Sequence, residues 1–162
     1  MYGNIKARDI MTTRLVTLRP SDDIYQGLQA LLAHRISGAP VVTEAGIFLG
    51  VFNEKSCMNV VIDDQYHGVS NTQVNTFMFT DVRTITPETS LIDIAMLFHS
   101  EPLRRLPVLE DGKLVGLVSR RDVLRAVDTT LKKAGIRRKG KSIAPMPYYS
   151  ALIDPLDNDR QA

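Results

Sequence analysis

"GKLVGLVSRRDVLRAV", residues 112–127, decides the fold, because an earlier stretch, "GIFLGVFNEKSCMNVV" at residues 46–61, lies over it position for position. Each stretch opens on a glycine turn, runs through a short apolar segment, breaks at a polar residue and resumes with apolar residues at helical spacing. The pattern reads as a buried strand passing directly into a helix. Upstream, at an offset of 67 residues, "VTLRPSDDIYQGLQALL" (16–32) lies over "RTITPETSLIDIAMLFH" (83–99), with Pro20 on Pro87 and Ile24 on Leu91. The same offset lays "GAPVV" (38–42) over "RLPVL" (105–109). The chain is therefore two copies of a unit of about 60 residues.

Each copy reads as strand, helix, strand, turn, strand, helix. Pro20 followed by Ser21, Asp22 and Asp23 begins a helix, with a capping side chain and acids near the positive end of its dipole. Ile24, Leu28, Leu31 and Leu32 share one face at helical spacing, as do Leu91, Ile94, Ala95 and Phe98, and both stripes are expected to face the core. "PVV" and "PVL" begin strands, and "EDGK" (110–113) is a hairpin turn. Cys57, Met58 and Val61 take the places of Val123, Leu124 and Val127, which makes Cys57 a core residue of the final helix. His34 and His99 fall near helix ends and read as polar end residues. The boundaries expected are 6–63 for the first repeat, 64–73 for a linker, 74–131 for the second repeat and 132–162 for a basic segment and tail.

Composition limits the functional classes. At 44% hydrophobic and 23% charged, 162 residues suffice for one ordinary domain or two small ones sharing a core. Cys57 is the only cysteine, so no internal disulfide and no thiol metal cluster or redox pair can form, and a reducing cytoplasm fits. No apolar run reaches the roughly 18 residues of a membrane span, and "MYGNIKARDIMTTR" lacks the apolar middle of a secretory signal. The net charge of +2 is uneven: "KKAGIRRKGK" (132–141) holds six cations in ten residues, leaving the remainder mildly acidic. Beyond it, Pro145, Pro147 and Pro155 with no helical period predict an extended tail.

The doubled unit resembles a pair of cystathionine-β-synthase (CBS) domains, the arrangement called a Bateman module, over residues 6–131. The resemblance is carried by "DIMT" (9–12), "VTLRP" and "TITP", "HRISGAPVV" and "PLRRLPVL", and above all "GLVSRRDV" (116–123), in the same order in both copies. It implies an α/β (α+β) fold of two β-α-β-β-α units packed with pseudo-two-fold symmetry. It also implies two clefts that bind adenosine-containing ligands such as AMP, ADP, ATP or S-adenosylmethionine, and a homodimer that signals to an effector protein. On this view the chain is a freestanding sensor.

Ser119 followed three residues later by Asp122 admits two readings. As a capping arrangement, Ser119 accepts a hydrogen bond from the first helical turn and Asp122 reaches back to the backbone, an interaction typically contributing ~1 kcal/mol without any ligand. As a ligand site, the same helix start attracts phosphate, Arg120 or Arg121 adds charge, and Asp122 accepts hydrogen bonds from a ribose diol. Carried over from the family, this cleft also uses Lys6, Ala7, Asp9 and Met11, then Ile36, Ser37 and Gly38, with Arg104 and Arg105. In the other cleft Asn53 takes the hydroxyl position and Ser56 the acid position, so this second site is expected to be weak, altered or empty.

No HExxH helix, CxxC pair, nucleophile elbow or P-loop is present in the sequence, and no catalytic or metal-ligating residue is assigned. The chain is expected not to be an enzyme. Two rival readings stand beside the sensor. One is nucleic-acid or anionic-surface binding through residues 132–141, weakened by the absence of interleaved aromatics. The other is a ligand-free dimerisation scaffold.

Overall fold

The computed structural model describes Tyr2 and residues 4–67 and 72–135. Both repeats fall in one compact unit, which ends at Thr130. The extended tail and the basic segment from residue 136 onward lie outside the described residues. Among those described, no helix is long and apolar enough to cross a membrane.

The structure is mixed α/β, with two small antiparallel sheets. Strand β1 (Gly38–Val42) pairs with β2 (Phe48–Asn53), and β3 (Arg105–Glu110) pairs with β4 (Lys113–Ser119). The second hairpin turns on Asp111 and Gly112, both at positive φ (50° and 75°) between the paired Glu110 and Lys113. That is the two-residue turn whose twist matches its strands, and the one "DG" favours. Helix α3 (Glu54–His67) begins at the residue after β2, and α6 (Arg120–Lys133) at the residue after β4. Strand therefore passes into helix without a loop in both repeats, and α3 runs beyond Asp63 into the stretch expected to be linker. Helix α2 (Ile24–Ala33) is capped by Asp23, which accepts from the Tyr25 amide at 2.8 Å, and α5 (Leu91–Ser100) by Ser90, which accepts from the Asp93 amide at 3.1 Å. His34 closes α2, and His99 lies in the last turn of α5.

The first strand expected in each repeat is reduced to a single parallel bridge, Leu18 to Val41 and Ile85 to Val108. Proline explains the truncation. Leu18 donates to the Pro40 carbonyl and accepts from Val42, both at 2.9 Å, and Ile85 does the same with Pro107 and Leu109. One step back the ladder needs an amide from Pro40 or Pro107, and one step on it needs one from Pro20 or Pro87. None of these prolines has an N–H to give.

The apolar stripes are corrected in the same way, by what lies opposite them. Ile24 and Leu31 are buried, but Leu28 and Leu32 are exposed, and the third buried position of α2 is Gly27. A Cβ on Gly27 would sit 2.8 Å from the Phe52 ring, so the glycine makes room for a buried phenylalanine. In the second repeat the related positions hold Ile94 and Val118, both fully buried. A glycine facing a phenylalanine in one core replaces an isoleucine facing a valine in the other, shifting bulk from the helix side of the contact to the strand side, as close packing permits. Leu91, Ile94 and Phe98 are buried as expected, with Ala95 at the margin. Cys57 belongs to the first core, whereas Met58 and Val61 are exposed.

The repeats also exchange their leading segments. Helix α1 (Ala7–Ile10) precedes the first repeat, yet Ala7 is buried in the second core; α4 (Val74–Phe77) precedes the second repeat, yet Val74 and Phe77 are buried in the first. Thr12 bridges to Leu117 of β4, and Phe79 to Val51 of β2. Full burial of side chains such as Val74 and Phe77 is worth about 1.5–3 kcal/mol each, enough to hold the exchange. Glycine permits the close approach: a Cβ on Gly50 would lie 2.3 Å from the Phe79 carbonyl oxygen, and one on Gly116 would lie 2.5 Å from the Met11 sulfur.

Candidate ligand cleft

The two strand–helix junctions carry the chemistry. In the second repeat the Ser119 amide donates to Asp122 Oδ2 at 2.8 Å and the Ser119 hydroxyl donates to the same oxygen at 2.6 Å. The Asp122 amide donates to Ser119 Oγ at 3.4 Å. The sequence's capping box is thus formed, and it occupies one carboxylate oxygen. The other, Oδ1, has Arg125 Nη1 at 3.5 Å. In the first repeat the same box is built from different atoms: the Asn53 amide donates to Ser56 Oγ at 3.1 Å, and the Ser56 amide donates to Asn53 Oδ1 at 3.0 Å. Ser56 is fully buried, so its hydroxyl is structural.

A cavity of about 520 Å³ lies between the repeats on the Asn53 side. Ser37, Gly38 and Asn53 line it from the first repeat, and Arg104 and Arg105 from the segment leading into and starting β3. Phe79, Asp81 and Arg83 close it, because the segment that follows α4 crosses onto β2. Its charged groups are anchored unequally. Arg83 donates to Glu101 Oε1 at 2.9 Å, and Arg104 lies 3.9 Å from Glu54. Lys55 stands 5.6 Å over the Phe79 ring. Arg105 is exposed, with no side-chain hydrogen bond or ion pair among the described residues.

Ser37, Gly38, Arg104 and Arg105, grouped by sequence with Ser119 and Asp122, therefore line a cavity with Asn53 instead. The remaining residues of that group are elsewhere. Lys6 pairs with Glu88, Ala7 is core, and Asp9 Oδ2 accepts from the Lys6 amide at 2.9 Å. Met11 packs on Gly116 and the second core, and Ile36 packs against the first core. Arg120 turns back to Phe98, 6.0 Å over its ring and 3.4 Å from its carbonyl oxygen. Sequence reasoning missed Lys55, Phe79, Asp81 and Arg83. A signal existed: extended upstream, the offset of 67 relates Ala7 to Val74 and Thr12 to Phe79, so a segment before each repeat was due at each cleft.

Burial pushes the Cys57 thiol above its ordinary pKa, a backbone hydrogen bond offsets part of the rise, and the Glu54 charge adds to it. The thiol is a packing group in the core beneath α3.

The family model for the CBS domain matches the chain twice, over residues 7–63 and 74–129. Among curated proteins the chain is 27% identical over 122 residues to MJ1225 of Methanocaldococcus jannaschii, covering 75% of this chain and 42% of that protein. It is 28% identical over 132 residues to the A-adding tRNA nucleotidyltransferase of Aquifex aeolicus, covering 82% of this chain and 15% of the enzyme. The chain thus spans less than half the length of either relative. Among solved structures, CBSX2 of Arabidopsis thaliana in complex with AMP matches with a TM-score of 0.69 at 27% identity, covering 78% of this chain and 98% of that one. With both repeats matched, over more than half of its length, the chain belongs to the CBS-domain family.

Proposed function

We propose that this chain is a regulatory module that binds an adenine nucleotide in a cleft between its repeats and passes the occupancy of that cleft to a partner protein in the cytoplasm. The observation that carries the reading is the 520 Å³ inter-repeat cavity. Its volume falls within the range of small-molecule sites, and four cationic side chains stand on its walls, a composition suited to phosphate. The AMP complex of CBSX2 supports the same ligand class. At the related junction of the second repeat the ribose acceptor is assigned to Asp122, whose Oδ2 meets the cap and whose Oδ1 would exchange its contact with Arg125 Nη1 at 3.5 Å for a diol. Second-copy association fits the exposed apolar residues on both repeats, Leu28, Leu32 and Met58 in the first and Ile92, Met96 and Leu124 in the second.

Calorimetric titration with AMP, ADP, ATP and S-adenosylmethionine tests the reading. At least one binds with micromolar-class affinity, and Asp122→Ala weakens the contribution of the ribose seat. Absence of binding by all four at millimolar concentration overturns the reading and leaves the two rivals, a ligand-free dimerisation scaffold and anionic-surface binding through residues 132–141.

A further inference from the structure

The seat beside Asn53 lacks the carboxylate that its counterpart carries at Asp122. Ser56, at the related position, is fully buried, and its Oγ already accepts the Asn53 amide at 3.1 Å. A ligand in the 520 Å³ cavity therefore meets no diol acceptor at the Ser56 position, and the carboxylate that the helix start does supply, Glu54, stands 3.9 Å from Arg104. What it meets is cationic: Arg105 without a partner among the described residues, Lys55 over the Phe79 ring, and Arg83 and Arg104 beside glutamates. Two acids line the cavity, Glu54 and Asp81, and Glu54 is the one opposite Arg104.

From this we infer that the Asn53 cavity is a polyphosphate seat indifferent to the ribose diol, distinct in selectivity from the Asp122 junction. The inference rests on the proposal that the module binds nucleotides between its repeats. Guanidinium and ammonium groups match phosphate oxygens in charge and hydrogen-bonding capacity, and on this wall four of them outnumber two carboxylates, one of which, Glu54, faces Arg104. Under this assignment Asp81 opposes the ligand's charge and does not grip its sugar.

The test is calorimetric titration of the full chain carrying Asp122→Asn, which keeps a capping oxygen while removing the charge from the other junction. The probes are ATP, 2′-deoxy-ATP, adenosine and inorganic tripolyphosphate. ATP and 2′-deoxy-ATP are expected to bind within about twofold of each other, with adenosine at least about tenfold weaker and tripolyphosphate retained, since charged contacts dominate. Adding Arg105→Gln weakens all phosphate-bearing probes by about tenfold, and adding Asp81→Asn tightens them, because a like charge is removed. A preference for ATP over 2′-deoxy-ATP of tenfold or more overturns the inference, and its loss in Asp81→Asn or in Glu54→Gln identifies which acid is the diol acceptor. Loss of all nucleotide binding in folded Asp122→Asn, with binding kept in the wild type, also overturns it and leaves the nucleotide reading intact. A wild type that binds none of the probes overturns both.

Discussion

The two strand–helix junctions solve one backbone problem with different atoms, and the difference separates structure from chemistry. Both close a box between the last strand residue and the third residue of the helix. In the first repeat a side-chain amide oxygen and a buried hydroxyl suffice, and no carboxylate oxygen is left over. In the second a carboxylate does the work of the hydroxyl and keeps one oxygen for another contact. A capping box is therefore no evidence for a ligand by itself. What differs is an acceptor beyond the cap, Asp122 Oδ1, which Arg125 Nη1 approaches at 3.5 Å.

The comparison breaks most sharply at the exchanged segments. Gly50→Ala drives a Cβ to 2.3 Å from a backbone carbonyl, that of Phe79, whereas Gly116→Ala meets the Met11 side chain, which can change rotamer. The backbone has no such escape, so Gly50→Ala is expected to cost about 3 kcal/mol or more and Gly116→Ala about 1–2 kcal/mol, read from urea midpoints at constant m. Equal losses would mean that the two close approaches are not different in kind.

Next in size is the volume trade between the cores. Phe52→Val opens a cavity and is expected to cost about 2–4 kcal/mol, and Gly27→Ile overpacks the same space by about 1–3 kcal/mol or more. Made together, the two changes give the first core the pair found at Ile94 and Val118. The double variant should then be more stable than the sum of the singles predicts, by about 1–3 kcal/mol of coupling. Additive losses would show that Gly27 and Phe52 do not share one space.

Much of this was legible in the sequence, and what was not has a physical origin. The repeat, the Asp111–Gly112 turn and the direct passage from strand to helix are local, and local chemistry specifies them. The shortened first strands were also written locally, in Pro20 and Pro40 and their counterparts, but only a bridge-by-bridge count of amide donors exposes them. The helix stripes misled because Gly27 has no side chain to register in a hydrophobic pattern, although a missing side chain is what lets Phe52 in. The cavity was misplaced for a less local reason. Which cleft receives Arg104 and Arg105 depends on where residues 79–83 cross, and that exchange is decided by burial of Val74 and Phe77 on a core built from residues of the first repeat, Leu18 to Cys57.

The caps give a smaller effect. Asn53→Ala and Ser119→Ala each remove the side chain that accepts from the first turn, and each should cost about 1 kcal/mol. Both variants keep the reciprocal bond, from the residue 53 amide to Ser56 or the residue 119 amide to Asp122, but the first-turn bond that is lost is shorter at Asn53 (3.0 Å) than at Ser119 (3.4 Å), so Ser119→Ala is expected to be the milder of the two.

The smallest expected effect concerns Cys57, which stands where the second repeat has Val123. Its thiol pKa is raised by burial, so folding favours the protonated form. The sign follows from proton linkage: an unfolded thiol ionises near pH 8.5, and the folded one ionises higher. Stability associated with the protonated thiol is then fully present below about pH 8.5 and is lost as pH rises through the folded value. Cys57→Val removes that dependence while nearly preserving volume, making the first repeat resemble the second at this position. Urea midpoints of the two proteins should differ by a constant amount between pH 6 and 8 and by up to about 1 kcal/mol in favour of the valine variant on going to pH 9.5. A difference that stays flat across that range would place the thiol in contact with water, and the first core would then be less well sealed at α3 than its packing indicates.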